Sequence, residues 1–348
     1  MRKGIDLANR RDNAASCLEA AGQKTHKEYL LESVIPTGTA RNHEECRCHI
    51  HDLEFYDFTY NCLGVHVADL VRLGTPHAGR ALSFAQMVRA LQRGIVVLTN
   101  NQSGGIGLMN FDAEAAEYLD GETDEEVCAA LSELYEDLNV ASRRGCERPY
   151  VTLNIGLSTT EGGRRVASAV LRAFERGYGD GMPFLFPNIV FKLSRAANLA
   201  PDAPNHDLYE QALSVTAKRM IPTYFNCDQS ANRDLPATEI GVMGCRSRLA
   251  GNRNGKAGAF NRGNVACVTL NLVQMAYQAR GNMAEFYYLL DQQMKDAETL
   301  LMHRFATLCS HPERLAGCLA GGYYMGSETD DVKTMLANGT LSIGFIGV

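Results

Sequence analysis

Residues 150–225 read YVTLNIGLSTTEGGRRVASAVLRAFERGYGDGMPFLFPNIVFKLSRAANLAPDAPNHDLYEQALSVTAKRMIPTYF, and this stretch decides the fold. Tyr150–Ile155 and Asn188–Leu193 are short apolar runs bounded by turn residues, the pattern of buried strands. Arg164–Arg176 and Asp207–Met220 carry apolar residues at helical spacing, and Pro222–Phe225 reads as a further short strand. Strands separated by helices argue for an α/β fold with parallel pairing. Outward from this stretch the pattern continues. Downstream, Val265–Leu270 is predicted as a strand, Ala284–Leu308 as a long helix, and LSIGFIGV, residues 341–348, as a buried strand. Upstream, Thr123-Asp124-Glu125-Glu126 opens a helix with a capping box and should run to about Val140. Helical patterning is also read over Ala14–Val34, ended by Pro36-Thr37-Gly38, and over Gly64–Leu73 and Ala81–Gln92, whereas residues 46–62 are dense in aromatics and histidine.

Composition sets outer limits. The 348 residues are 45% hydrophobic and 21% charged, with formal charge −6. That is a globular composition without a nucleic-acid footprint. No apolar run approaches the ~18–20 residues that span a bilayer. The N-terminus lacks the apolar core of a secretory signal, so the expected compartment is the cytoplasm. The 11 cysteines are scattered and odd in number, which does not read as a disulfide framework. The apolar ending reads as a chain cut inside its fold.

Three segments carry candidate chemistry. In Met243-Gly244-Cys245-Arg246-Ser247, a thiol sits between glycine and arginine after the apolar EIGVM. A neighbouring cation lowers a thiol pKa and favours reactivity, although a turn cysteine with its arginine paired elsewhere has the same sequence. In His49-Ile50-His51-Asp52, strand alternation puts both histidines on one face. They could ligate zinc with Cys46 or Cys48, or simply be a hydrogen-bonded polar strand at a cleft. The loop Asn100–Gly107 could cradle phosphate with its amides but matches no phosphate-binding fingerprint, and a plain turn explains it. Asn61-Cys62, among aromatics, reads by itself as buried. Serine-hydrolase and zinc-protease motifs are absent.

Taken in order, HIHDLEFY with NC, then NQSGG, PYVTLNIGLS, FPNIVFKL, AKRMIP, MGCRS, RGNVACVTLNL and LSIGFIG resemble the blocks of anaerobic (class III) ribonucleoside-triphosphate reductases. Each block is unspecific; eight in order are not. The resemblance runs from about residue 45 to the end. It implies a ten-stranded α/β barrel of the glycyl-radical enzyme type, incomplete at the C-terminus, with a cysteine finger loop at about residues 240–270. Residues 1–45 would be an N-terminal helical segment and 46–348 the partial barrel. The family's thiyl cysteine matches Cys245, its second cysteine Cys62, its ribose-binding asparagine Asn264 and its active-site histidine His49. His51, Asn61, Gly244, Arg246 and Ser247 would line the substrate.

The resemblance further implies ribonucleoside triphosphate substrates, formate as reductant, ATP and deoxynucleotide effectors, a radical-SAM activating enzyme and a homodimer, with neither nucleic acid nor membrane as partner. The family's glycyl-radical loop and four-cysteine zinc site have no counterpart here, and Gly344 and Gly347 lie upstream of that loop. The expectation is therefore that no cofactor or metal is held by this chain and that a C-terminal glycyl-radical segment, in the same gene or in trans, completes it. The alternatives are an inactive nucleotide-binding remnant or regulatory paralogue, another glycyl-radical enzyme and, more distantly, a zinc hydrolase built on His49 and His51.

Overall fold

A computed structural model describes residues 14–75, 82–144, 147–245 and 247–347. Ten strands occur among them: β1 (Cys48–Ile50), β2 (Leu63–Val65), β3 (Ile106–Leu108), β4 (Val151–Ile155), β5 (Asn188–Leu193), β6 (Thr223–Asn226), β7 (Gly241–Val242), β8 (Arg248–Leu249), β9 (Asn264–Asn271) and β10 (Thr340–Ile346). Among the described residues there are two compact units, one built from Cys62–Gly263 with residues 14–16, the other from Cys17–Asn61 with residues 264–347.

The first unit is built on a five-stranded sheet in the order β2-β3-β4-β5-β6, parallel throughout, with Leu63 beside Ile106, Ile106 beside Val151, and Phe191 beside Tyr224. Parallel strands are covered on both faces, which is why β2, β3 and β4 are wholly buried. Helices Val67–Gly74 and Phe84–Thr99 precede β3, Asp124–Leu138 precedes β4, Glu161–Arg176 precedes β5, and His206–Arg219 precedes β6. The predicted capping box at Thr123 is present, and Ser83 with Gln86 forms a second. Helix Glu161–Arg176 buries Val166, Ala167, Val170, Leu171 and Phe174, one stripe at three- and four-residue spacing.

The two faces of the sheet differ in chemistry. Phe191 of β5 meets Tyr209 of helix His206–Arg219. The other face carries Thr152 and Asn154 of β4 and Asn188 and Lys192 of β5. Against it lies the chain from Ala237 to Gly244, through contacts of Lys192 with Ala237, Asn154 with Val242, and Thr152 and Asn188 with Gly244.

In the second unit β9 is central, antiparallel to β1 (His49 beside Thr269) and parallel to β10 (Gly344 beside Thr269). Residues 341–346 thus form a strand, but not the buried one read from their sequence: Leu341–Gly344 are half-buried, and Phe345 and Ile346 are exposed. Leu30, Ile35, Ile50, Leu53, Tyr56, Val268 and Leu270 make a core with Ala297, Leu300 and Leu301 of the long helix Met283–Cys309.

Three expectations shift. The Gly64–Leu73 helix starts only at Val67, because Leu63–Val65 is β2 and His66 keeps extended backbone at the helix entry. Pro36 does not end helical structure: a helix resumes at Thr37, with the Pro36 carbonyl accepting from the Thr39 and Ala40 amides. The extended geometry read for His49–Asp52 ends early, since β1 stops at Ile50, Asp52 adopts a left-handed conformation (φ 48°) and a 3-10 turn follows.

Helices Val67–Gly74 and Phe84–Thr99 cross where both present glycine. A Cβ on Gly94 would lie 2.1 Å from the Leu70 carbonyl oxygen, and one on Gly74 1.9 Å from that of Ala90. Gly94→Ala should therefore push the helices apart and cost ~1–3 kcal/mol. Gly22→Ala, on an open helix surface with nothing within 4 Å of the new Cβ, should be neutral or add ~0.5–1 kcal/mol. Urea unfolding midpoints test the pair; equal midpoints would contradict the close crossing.

Candidate active site

Cys62 immediately precedes β2 and is 5% exposed. Its sulfur accepts the Gly105 amide at 3.3 Å, and the Gly105 carbonyl accepts the Leu63 amide at 3.1 Å. The glycine loop considered as a phosphate cradle therefore turns an amide onto a thiol.

Cys245 lies at the tip of the β7–β8 hairpin, in which Gly241 pairs with Leu249 and Val242 with Arg248. The Met243 amide donates to the Ser247 carbonyl at 3.0 Å and closes the tip. Gly244 fits under the tip because it lacks a side chain: a Cβ there would meet Thr152 Oγ1 at 2.7 Å and Asn188 Nδ2 at 3.0 Å. Behind the hairpin, Arg262 is buried and donates to the carbonyls of Ala250, Gly251 and Gly258, tying the returning chain to itself.

The two cysteines meet. The Cys62 thiol is hydrogen-bonded to Cys245 Sγ, and Ser247 Oγ lies 3.2 Å from that sulfur. The Cys62 hydrogen bond is the main reason the Cys245 thiol is lowered to about 5; burial opposes this, and Ser247 and nearby amides add to the lowering. Cys245 is nevertheless exposed as a residue, although its sulfur itself is partly desolvated and held by donors. The remaining cysteines with resolved shifts move the other way: burial pushes Cys48 and Cys227 up to about 11 and Cys318 to about 12. Arg246, proposed to assist Cys245, lies outside the described residues.

The other candidates belong to the second unit. His49 is exposed on β1, its ring 4.9 Å from that of His51 and 5.5 Å from that of His43. His51 Nε2 and Thr269 Oγ1 are 2.7 Å apart, and burial, then His49, holds the His51 imidazole below its usual pKa. The two histidines do share a neighbourhood, yet no group of three or more His, Cys, Asp or Glu able to hold a metal exists among the described residues. Asn61 donates its backbone amide to the Asn264 and Val265 carbonyls and its side chain to Asp52. Asn264 is 1% exposed, and its side-chain amide, oriented by its neighbours, donates to Thr340 O at 2.7 Å and Ala266 O at 2.8 Å.

Sequence reasoning missed Gly105, whose amide leaves no side-chain signal, and Asn154 and Lys192, polar residues inside apolar strands. Burial pushes the Lys192 ammonium down to about 8. It also missed a cavity of about 950 Å³ at the carboxyl ends of β5 and β6, lined by Arg195, Asn226, Cys227, Asp228, Asn232 and Arg233 among others and by none of the candidates.

Peptide-resolved alkylation with iodoacetamide across pH should give Cys245 a midpoint near 5. Cys62→Ala should raise it toward the ordinary thiol value of ~8.5, and Ser247→Ala should raise it less. A wild-type midpoint already near that ordinary value would contradict the paired-sulfur geometry.

The family model for anaerobic ribonucleoside-triphosphate reductase matches residues 6–348. The chain is 26% identical over 360 residues to the reductase of that name from Escherichia coli K12, covering 92% of this chain and 50% of that one. It is 24% identical over 363 residues to the bacteriophage T4 protein of the same name, with 92% and 60% covered. It thus spans about half the length of the curated relatives it matches. Among solved structures, the anaerobic ribonucleotide reductase from Thermotoga maritima in complex with dATP and CTP superposes with TM-score 0.69 at 15% identity, covering 96% of this chain and 60% of that one. That likeness gives the fold as the α/β barrel class of those reductases. By the span of the family match, the chain belongs to the anaerobic ribonucleoside-triphosphate reductase family.

Proposed function

We propose that this chain provides the radical-bearing cysteine, Cys245, and its supporting cysteine, Cys62, of an enzyme that converts ribonucleoside triphosphates to 2′-deoxyribonucleoside triphosphates without oxygen. The observation that carries this reading is the hydrogen bond between Cys62 and Cys245, two sulfurs far apart in sequence. The family's glycyl radical would supply the one-electron oxidation, and Cys245 would be the residue that gives up its thiol hydrogen atom to it. The reactive form is therefore the one with the pair's proton on Cys245, and that proton has to pass from Cys62 along the hydrogen bond before the step.

The Cys245 thiyl takes the ribose 3′ hydrogen atom: an S–H bond forms, a C–H bond breaks, and a carbon radical remains. That radical labilises the 2′-hydroxyl, which leaves as water after protonation. Cys62 supports the reduction, formate gives two electrons and departs as carbon dioxide, and Cys245 returns its hydrogen atom to the 3′ carbon. His49 would handle protons near the ribose. Asn264 would contact ribose hydroxyls, and His51, Asn61, Gly244, Arg246 and Ser247 would line the substrate. The described residues offer no fit for a structural zinc, and no step is assigned to one. A radical-SAM activating enzyme, ATP and deoxynucleotide effectors, a glycyl-radical polypeptide in trans and a homodimer complete the proposal. No helix among the described residues is long and apolar enough to cross a membrane, and a cytoplasmic location is proposed.

The test is anaerobic reconstitution with a glycyl-radical polypeptide, its activating enzyme, formate and CTP, with dCTP measured. Wild type should form dCTP; Cys245→Ser and Cys62→Ser should form none above background. Turnover by Cys245→Ser, or no turnover by wild type while the glycyl radical is visible by EPR, would overturn the reading.

A further inference from the structure

We infer that Asn154 is the positioning residue that sets Cys245 against Cys62. The reaction served rests on the reading above; the geometry stands independently of it.

Asn154 sits within β4 and is fully buried between Leu153 and Ile155, which are also buried. A buried amide needs partners for both its oxygen and its nitrogen. Here one residue supplies both. The Val242 amide donates to Asn154 Oδ1 at 2.9 Å, and Asn154 Nδ2 donates to the Val242 carbonyl at 2.9 Å. This two-point contact resembles the exchange between paired strands and fixes both the place and the rotation of Val242. Val242 lies in β7, three residues before Cys245 and one before Met243, whose amide closes the hairpin tip on Ser247.

The root of the same hairpin is held from the same face of the sheet. Lys192 Nζ donates to Asn110 Oδ1 at 2.9 Å and to the Ala237 carbonyl at 3.3 Å, and Asn110 Nδ2 donates to the Thr238 carbonyl at 2.8 Å. Above the clamp, Gly244 rests against Thr152, two residues before Asn154 on the same face of β4. Cys62 in turn is referenced to the sheet edge by the Gly105 amide. Both sulfurs are thus located by one rigid parallel sheet, and Asn154 is the side chain that transfers that reference to the hairpin. An apolar residue of similar size would fill its volume but leave the Val242 amide and carbonyl without these partners.

The experiment uses the full chain with Asn154→Ala and Asn154→Asp, and reads the alkylation midpoint of Cys245 together with the thermal unfolding curve. Asn154→Ala loses both contacts and should raise the midpoint by more than one pH unit. Asn154→Asp keeps the acceptor for the Val242 amide and should raise it by less. A purely structural asparagine would change the unfolding curve and leave the midpoint alone. An unchanged midpoint in either folded variant overturns the inference, and Asn154→Asp, nearly isosteric, keeps it decidable where Asn154→Ala does not fold. In the reconstituted reaction kcat should fall with KM for CTP unchanged. A shifted midpoint alongside inactive wild type would sink the functional reading and leave the positioning role standing.

Discussion

The hydrogen bond between the Cys62 and Cys245 sulfurs makes demands that much of the first unit is arranged to meet. Thiols are weak donors and acceptors, so their contact cannot hold two chain segments together by itself. The surroundings must bring the sulfurs into register first. Cys62 is held at the start of β2 by the Gly105 amide, and Cys245 is carried on a hairpin whose stalk is fastened to β4 through Asn154. Once placed, the pair changes its own chemistry: a donor aimed at Cys245 favours its thiolate.

That arrangement explains the division of labour in the five-stranded sheet. One face is packed by helices, as where Phe191 meets Tyr209. The other carries Thr152, Asn154, Asn188 and Lys192, residues that would be costly in an ordinary core unless bonded. Asn154 and Lys192 spend their hydrogen bonds on the hairpin or its root, and Thr152 and Asn188 crowd Gly244. A sheet is a suitable anchor because its strands move little relative to one another, so short contacts survive only if the hairpin stays in place. In the second unit polar residues serve the strands themselves: Asn264 bonds to the backbone of β10 and His51 to Thr269.

Much of this was legible in the sequence where local signals are strong. The strands at 151–155 and 188–193 and the helix between them follow from apolar spacing, and Thr123 with Glu126 marked a helix start that the structure keeps. Cys245 was singled out by its glycine and arginine neighbours. Very short elements were not legible: β2 has three residues and β7 two, too few for a period to show. Nor were long-range partners. Gly105 acts through its backbone, which every residue has, and Asn154 within VTLNI looks like a flaw in a strand until Val242 is seen beside it. Cys62, lacking any local mark, needed the resemblance of whole blocks. The His49 and His51 pairing followed from strand alternation, whereas the left-handed turn at Asp52 that ends the strand did not.

The central claim is that two cysteines distant in sequence are neighbours in space, and mild oxidation reads this directly. Treating the full chain under anaerobic conditions with one equivalent of diamide, which takes up the two thiol hydrogens as the disulfide forms, followed by peptide mass mapping, should yield a Cys62–Cys245 linkage as the first product. Linkage of Cys245 to a different cysteine, or modification of both sulfurs without a bond between them, would contradict the account.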